Sequence, residues 1–456
     1  MNVRAFLAIL LCRVLRFLSR VLHRGGTAMP GRWAVKICPN LLSLLAKNVK
    51  TIAVTGTNGK TSTSRMIETA FQEQGVSYLA NRSGANLMSG IVTEFVMNSS
   101  LTGRCRKEYA VIECDEAAAR TVFPQLKPRI VLVTNLFRDQ LDRYGEVTHT
   151  LENIRTGLLG VPEALLCLNA DCSLTSSLAP DLSNRAVYYG IEKGVVPSRE
   201  KPEISDATHC IRCKTEYEYA YITYAHLGGF RCPHCGYRRP DADYAVTEIL
   251  SQGSDSSSVL MRFHGETHRI DVNLPALYNI YNAAGALSAM LELGIETKNA
   301  IRALSQFHCG FGRMEQFAIA GGMRLMLVKN PAGCNQVLEF LQRVTEDFLL
   351  VVCLNDRGAD GTDVSWIWDA DFEKLPSLLP HLKHIYVSGD RAADMHVRIK
   401  YAGIEESIIS EERNYETLIS LLSEKSEPVF VMPTYTALLD LRTVIVRHTG
   451  GAEFWE

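Results

Sequence analysis

The segment AVTGTNGKTST, Ala53 to Thr63, constrains the fold of this chain more than any other. Apolar residues lead into it, two glycines follow, then a lysine and a hydroxyl residue, then a stretch that reads as helix through Met66 to Glu73. A strand that breaks at glycine and restarts as helix gathers backbone N–H groups around an anion, and this residue order suits a nucleoside triphosphate. The common phosphate loop sets four residues between its first glycine and the Gly-Lys pair. Here Gly56 and Gly59 enclose only Thr57 and Asn58. The segment reads as a phosphate loop of a less common kind; the plain alternative is a Gly-Asn turn between strand and helix.

From Lys50 to about Gly190, short apolar runs alternate with helical stretches: TIAVTG, YAVIECDE, RIVLVTNL, ALLCLNA and AVYYG. Such alternation predicts a parallel sheet with helices on both faces, whose ligands sit beyond the carboxyl ends of the strands. Residues 191–205 are polar and turn-rich, a boundary before a cysteine-bearing insert over about 206–240. A helix is expected near Tyr278 to Leu293. A second alternation then follows: MRLMLVKN, FLLVVCLND, HIYVSGD and PVFVMPT. The expected architecture is α/β throughout. It comprises a basic segment over 1–49, a parallel-sheet ATP-binding domain over 50–313 that carries the insert, and a Rossmann-like C-terminal domain over 314–456.

A length of 456 residues, 46% hydrophobic content and a net charge of -2 read as a globular enzyme or binding protein and give no sign of nucleic-acid binding. Thirteen cysteines without a cleavable export signal point to a reducing, cytoplasmic setting with some thiols on a metal. The first 50 residues hold no Asp or Glu. Arg4, Arg13, Arg16, Arg20 and Arg24 fall mostly on one side of a helix, and Leu11, Val14, Leu15, Leu18 and Val21 on the other. The apolar run Ala5 to Cys12 is too short to span a bilayer. Two readings stand: an interfacial helix on the inner face of the cell membrane, or a basic helix packed on its own domain.

Gly56, Thr57, Asn58, Gly59, Lys60, Thr61 and Ser62 are the nucleotide-binding candidates. Lys60 would set a charge on the β- and γ-phosphates, and the Thr61 hydroxyl would join the shell of a Mg²⁺ ion. VIECDE ends its strand with Glu113, Asp115 and Glu116 at the same sheet edge. One of them should hold Mg²⁺, and Glu113 is the choice over a merely solvated strand end. Cys210, Cys213, Cys232 and Cys235 form two C-x2-C knuckles, a four-thiolate set typical of structural Zn²⁺ with no open position for substrate; His234 is not needed as a ligand. LNDRGADGTDVSWIWD concentrates Asp356, Asp360, Asp363 and Asp369 after a strand. It reads as a calcium loop, a solvated turn or a catalytic edge. The EF-hand spacing fails because Trp366 and Trp368 fall where ligands belong, and tryptophans beside carboxylates suggest a docking surface.

Taken together, GTNGKT, the Glu113 strand end, TNLFRDQLDRYGE, LNADC, YNIYNAAGAL and GRME resemble the central domain of the Mur ligases, which activate a carboxylate with ATP as an acyl phosphate. More narrowly, the four-cysteine insert, KNPAG and the aspartate run resemble the branch of that family that amidates lipid II with a separate class I glutaminase, GatD. The resemblance implies ATP-dependent conversion of the α-carboxyl of D-glutamate in the lipid II stem peptide to D-isoglutamine, with Mg²⁺ and a structural Zn²⁺. It puts Asn135, Asn279 and Asn282 on the nucleotide, the last two at the adenine, and Arg313 on the phosphates. It also implies that one aspartate of this chain orients the glutaminase histidine in a Cys-His-Asp triad. Asp360 is the candidate, with Asp356 and Asp363 behind it, so that Asp360, Lys60 and Glu113 form the catalytic set.

Neither FHCGFG nor PAGCNQ supplies a nucleophile elbow with a histidine, so glutamine must be hydrolysed on another chain. Four departures from the family pattern accompany the match. About fifty residues precede the loop, too few for a UDP-binding domain and in keeping with a lipid-linked substrate. Lys329-Asn330-Pro331 replaces an Asp-His run, Gln140 stands where histidine is common, and no lysine is placed for carbamylation. A standalone Mur-type amino-acid ligase and a non-catalytic nucleotide-binding protein are the competing readings.

Overall fold

The structure, a computed structural model, describes residues 3–21, 28–81, 85–138, 147–199, 206–253, 255–307 and 313–449. Two compact units divide the chain: Met1–Phe137 with Glu146–Phe307, and Arg138–Gly145 with His308–Glu456.

Among the described residues, the first unit is built on a nine-stranded sheet of order β11-β10-β9-β6-β5-β4-β1-β3-β2. The strands are β1 (Lys50–Thr55), β2 (Tyr78–Ala80), β3 (Tyr109–Glu113), β4 (Ile130–Val133), β5 (Leu165–Asn169), β6 (Ala186–Ile191), β9 (Tyr244–Gln252), β10 (Ser257–Phe263) and β11 (Glu266–Val272). Strand β4 is a continuous apolar run, and β1 and β5 are apolar at their centres; all three are buried almost throughout because helices cover both faces. The sheet is parallel from β2 across to β9, as expected, but β9, β10 and β11 pair antiparallel. The expectation of a parallel sheet over Lys50 to about Gly190 holds, and β10 and β11 extend that sheet antiparallel. A two-residue connection with His264 and Gly265 both at positive φ joins β10 to β11, the turn that matches hairpin twist.

Three helices precede the sheet, α1 (Val3–Val21), α2 (Ala28–Ile37) and α3 (Leu41–Ala46), and they pack on the same unit instead of standing apart. Helix α1 buries Ala5, Ala8, Ile9 and Cys12. The phosphate loop leads into α4 (Lys60–Glu73), and α5 (Met88–Met97) runs close to α2, where any side chain on Gly31 would collide with the Ser89 carbonyl. After the sheet's first half comes the insert, a hairpin of β7 (Glu218–Tyr224) and β8 (Leu227–Arg231). The sheet then closes under α6 (Leu277–Leu293).

Among its described residues, the second unit has a six-stranded sheet of order β12-β13-β17-β14-β15-β16, made of β12 (Arg313–Phe317), β13 (Met323–Met326), β14 (Phe348–Cys353), β15 (Leu382–Ser388), β16 (Ile409–Glu411) and β17 (Val429–Pro433). All neighbours pair parallel except β12 with β13. A separate apolar cluster lies on each face, one around Leu338, Phe372 and Ile399, the other around Ile419, Leu438 and Ile445. The departure Lys329-Asn330-Pro331 has a local reason. Asn330 caps α7 (Pro331–Leu341) by accepting from the Gly333 N–H, with Pro331 in the first turn.

Candidate active site

Strand β1 delivers the chain to Gly56 and Gly59, whose φ of 119° and 88° only glycine adopts without strain. A side chain at Gly56 would strike Thr134 and Asn135, and one at Gly59 would overlap Asn282. The loop is braced from below. Thr57 donates its N–H to the Asn135 carbonyl at 2.8 Å, and its hydroxyl accepts from Phe137 N–H at 3.0 Å. The Asn135 side chain accepts from Asn58 N–H at 2.9 Å and donates to Asn58 O at 3.1 Å. Asn135 thus holds the loop's backbone. Helix α4 starts directly at Lys60 with no side-chain cap, and the N-terminal end of a helix favours an anion.

Lys60 Nζ folds back over this loop. It donates to Gly56 O at 2.6 Å and pairs with Glu116 Oε1 at 2.7 Å, both side chains about nine-tenths buried. Beside it, the Thr61 hydroxyl donates to Glu113 Oε2 at 2.9 Å. Mg²⁺ with ligands at ~2.0–2.1 Å in an octahedron separates neighbouring oxygens by ~2.9 Å, so these two oxygens already stand at the spacing of adjacent ligands. The three carboxylates of VIECDE divide their work. Glu113 faces Thr61, Glu116 holds Lys60, and Asp115 accepts from the N–H groups of Ala117 and Ala118. Asn81, which the sequence did not single out, fixes the strand end by exchanging bonds with Glu113 N–H and C=O at 2.8 and 2.7 Å.

Asn279 and Asn282 are both buried on α6. Asn279 donates to Pro275 O at 2.7 Å and accepts from Asn282 Nδ2 at 3.3 Å, while Asn282 lies against Gly59. The structure therefore brings Asn282 to the loop and ties Asn279 to its own helix start. Arg313 opens β12, but its side chain lies outside the described residues, as do Arg24, Gln140, Gly312 and the cysteine of FHCGFG. The Cys334 of PAGCNQ is fully buried on α7, and burial pushes its thiol pKa up, the opposite of an activated nucleophile.

In the insert, the sulfurs of Cys210, Cys213, Cys232 and Cys235 all lie within 4.8 Å of one another. Cys213 and Cys232 are 3.3 Å apart, and Cys210 and Cys235 are 3.6 Å apart. Four thiolates at ~2.3 Å around zinc stand ~3.8 Å apart, so the set fits a tetrahedral ion and not a pair of disulfides. Tyr217, Phe230 and Tyr237 pack over the buried thiols. The insert is fastened to the sheet by Asp171, a residue the sequence left without a role. Its fully buried carboxylate accepts from Arg239 Nε at 2.5 Å, Ile191 N–H at 2.8 Å and the Tyr281 hydroxyl at 2.5 Å.

The aspartate run lies at the carboxyl edge of the second unit's sheet. Asp360 is buried and accepts both the Thr436 N–H at 2.7 Å and the Thr436 hydroxyl at 2.5 Å; burial raises its pKa, partly offset by those bonds. Asn355 bonds to the same Thr436 hydroxyl at 2.9 Å. Asp356 pairs with Arg391 at 3.0 Å. Asp363 is exposed and accepts Ser365 N–H at 2.8 Å. Trp368 is 52% exposed, whereas Trp366 is half-buried against the core. From beneath, the fully buried Arg398 donates to the carbonyls of Ile367 and Ala370 at 2.9 and 2.8 Å and sits 5.2 Å from the Trp368 ring.

Residues 54–232 match the model of the Mur ligase middle domain, and residues 327–438 that of the MurT ligase C-terminal region. The MurT subunit of the lipid II isoglutaminyl synthase (glutamine-hydrolyzing) of Streptococcus pneumoniae is 34% identical over 98% of this chain and 98% of its own length. The corresponding subunit of Staphylococcus aureus is 32% identical over 99% of this chain and all of its own length. MurF from Acinetobacter baumannii superposes with a TM-score of 0.67 at 15% identity, over 92% of this chain and 81% of that one, a likeness of fold. With the phosphate loop, the thiolate insert and the aspartate edge in place in one chain that these relatives match nearly end to end, the chain belongs to the MurT family of Mur-ligase-like synthetase subunits.

Proposed function

We propose that the chain is the ATP-dependent synthetase half of a two-chain amidating enzyme. It converts the α-carboxyl of D-glutamate in the lipid II stem peptide to D-isoglutamine at the cytoplasmic side of the membrane. Ammonia comes from glutamine hydrolysed by a class I glutaminase partner of the GatD kind. The observation that carries the reading is the Lys60, Thr61 and Glu113 cluster at an uncapped helix N-terminus, in a chain matched over nearly its whole length by subunits of that enzyme.

A carboxylate does not condense with ammonia in water because it lacks a leaving group. Transfer of the γ-phosphoryl from ATP makes an acyl phosphate, and ammonia then displaces phosphate to leave the amide. Bound Mg²⁺ supplies charge neutralisation at the transferring group. The loop N–H groups orient the phosphates, and Lys60 exchanges its bond to Glu116 for phosphate oxygens. Thr61 and Glu113 present the metal's protein ligands.

For the glutaminase half, Asp360 is the candidate third triad member. The two bonds from Thr436 fix its carboxylate, and a buried, hydrogen-bonded aspartate is how such triads orient a histidine. Asp363, the exposed carboxylate of the run, is the alternative. The test is to purify the chain with its glutaminase and follow the replacement of hydroxyl by amine on lipid II by mass spectrometry, with ATP and either glutamine or ammonium. ATP-dependent amidation from both donors supports the reading. An unchanged lipid under both conditions overturns it.

A further inference from the structure

We propose that α1 and α2 form a docking face for the surface of an anionic phospholipid bilayer. Helix α1 is packed inside out for a globular protein. It buries Ala5, Ala8, Ile9 and Cys12, mostly small side chains, and exposes Phe6, Leu7, Leu10, Val14, Phe17 and Leu18. At 100° per residue these six fall within an arc of about 120°, one continuous stripe along the helix. Phe17 is 67% exposed and Leu7 50%. A stripe of large apolar side chains held out in water marks an interaction surface.

Its chemistry selects the occupant. Helix α2 adds exposed Met29 and Trp33, with Lys36 Nζ 4.6 Å above the Trp33 ring, the pairing of indole and cation that sits at a headgroup boundary. The first acidic residue of the chain is Glu68, while Arg4 adjoins the stripe on α1 and α2 adds the exposed Arg32 and Lys36. A second copy of this face would bring cations against cations, whereas anionic headgroups neutralise them. Arg13 is turned inward. It donates to the carbonyls of Val96 and Ser99 at the end of α5 and fastens α1 to the unit. Among the described residues no helix is long and apolar enough to cross a membrane, so α1 lies on the surface.

The test is flotation of the full chain, alone and in complex with its glutaminase, with vesicles of phosphatidylglycerol and phosphatidylcholine or of phosphatidylcholine alone. It needs neither ATP nor lipid II, so its outcome is independent of the amidation reading. Flotation with the anionic vesicles is expected, at least about tenfold weaker on phosphatidylcholine and in high salt. The double variant Leu10→Glu, Phe17→Glu should lose it with an unchanged melting temperature. Should that variant melt early, Arg32→Glu with Lys36→Glu on the exposed side of α2 decides, by weakening flotation on anionic vesicles alone. Failure to float with either vesicle, a dimer in sedimentation that Leu10→Glu, Phe17→Glu dissolves, or flotation lost on joining the glutaminase would each overturn the proposal.

Discussion

At the phosphate loop, Thr57, Lys60 and Asn135 are buried and bonded inside the protein, whereas the aspartate edge of the second unit holds Asp363 and Trp368 out in solvent. The loop is closed upon itself, its cation already neutralised by Glu116. Only a small ligand carrying its own negative charge can displace that partner, since a buried lysine left unpaired is costly. At the aspartate edge the backbone is fixed from beneath by Arg398 while the ring and one carboxylate stay uncovered. A base fixed from beneath under an exposed tryptophan suits a macromolecular partner. On the proposed function, one site is completed by a metabolite and the other by a protein.

The contrast breaks most sharply at Lys60. Lys60→Ala should abolish amidation from glutamine and from ammonium alike, by on the order of 10⁴-fold, because charge stabilisation on the phosphoryl is lost. Retained turnover from either donor would remove the loop from the reaction. Asp360→Asn should act on one donor only. Glutamine-dependent rates in the complex fall on the order of 10³-fold through loss of histidine orientation, while rates with high ammonium stay within about twofold. Should Asp363→Asn give that pattern and Asp360→Asn not, the triad member is the exposed carboxylate.

Trp368→Ala should weaken association with the glutaminase by about 30-fold in calorimetry and leave ammonium-dependent turnover intact. An unchanged affinity would mean that the partner does not use this ring. The smallest effect concerns the insert. Chelation, or Cys213→Ser with Cys232→Ser, should lower the melting temperature by on the order of 5 °C, since the thiolate insert has only a few aromatic side chains for a core of its own.

Much of this arrangement was legible in the sequence, for reasons that differ by region. The central strands announce themselves because burial on both faces demands unbroken apolar runs such as IVLV, and the thiolate set because two knuckles leave little else for four cysteines to do. Strands β9 to β11 were not foreseen as an antiparallel extension. Several of their outward positions are polar, and the turn at His264-Gly265 carries no asparagine or aspartate to mark it. Helix α1 was legible only as an alternative between an interfacial helix and a packed one. Its packing against the unit buries Ala5, Ala8, Ile9 and Cys12 and leaves Val14 and Leu18 outside. Asn81 escaped notice, and Asp171 was quoted only within LNADC with no role, because a lone polar residue after a strand carries no periodic signal; the buried bonds they complete reveal them.

The bond between Asp171 and Tyr281 has a mechanical meaning. Tyr281 precedes Asn282, the residue that leans on Gly59, and Asp171 also grips Arg239 at the foot of the insert. The insert is thereby a splint strapped across the sheet to the helix that walls the loop. One buried carboxylate is thus the common anchor of the thiolate insert and of the helix beside the phosphate cradle.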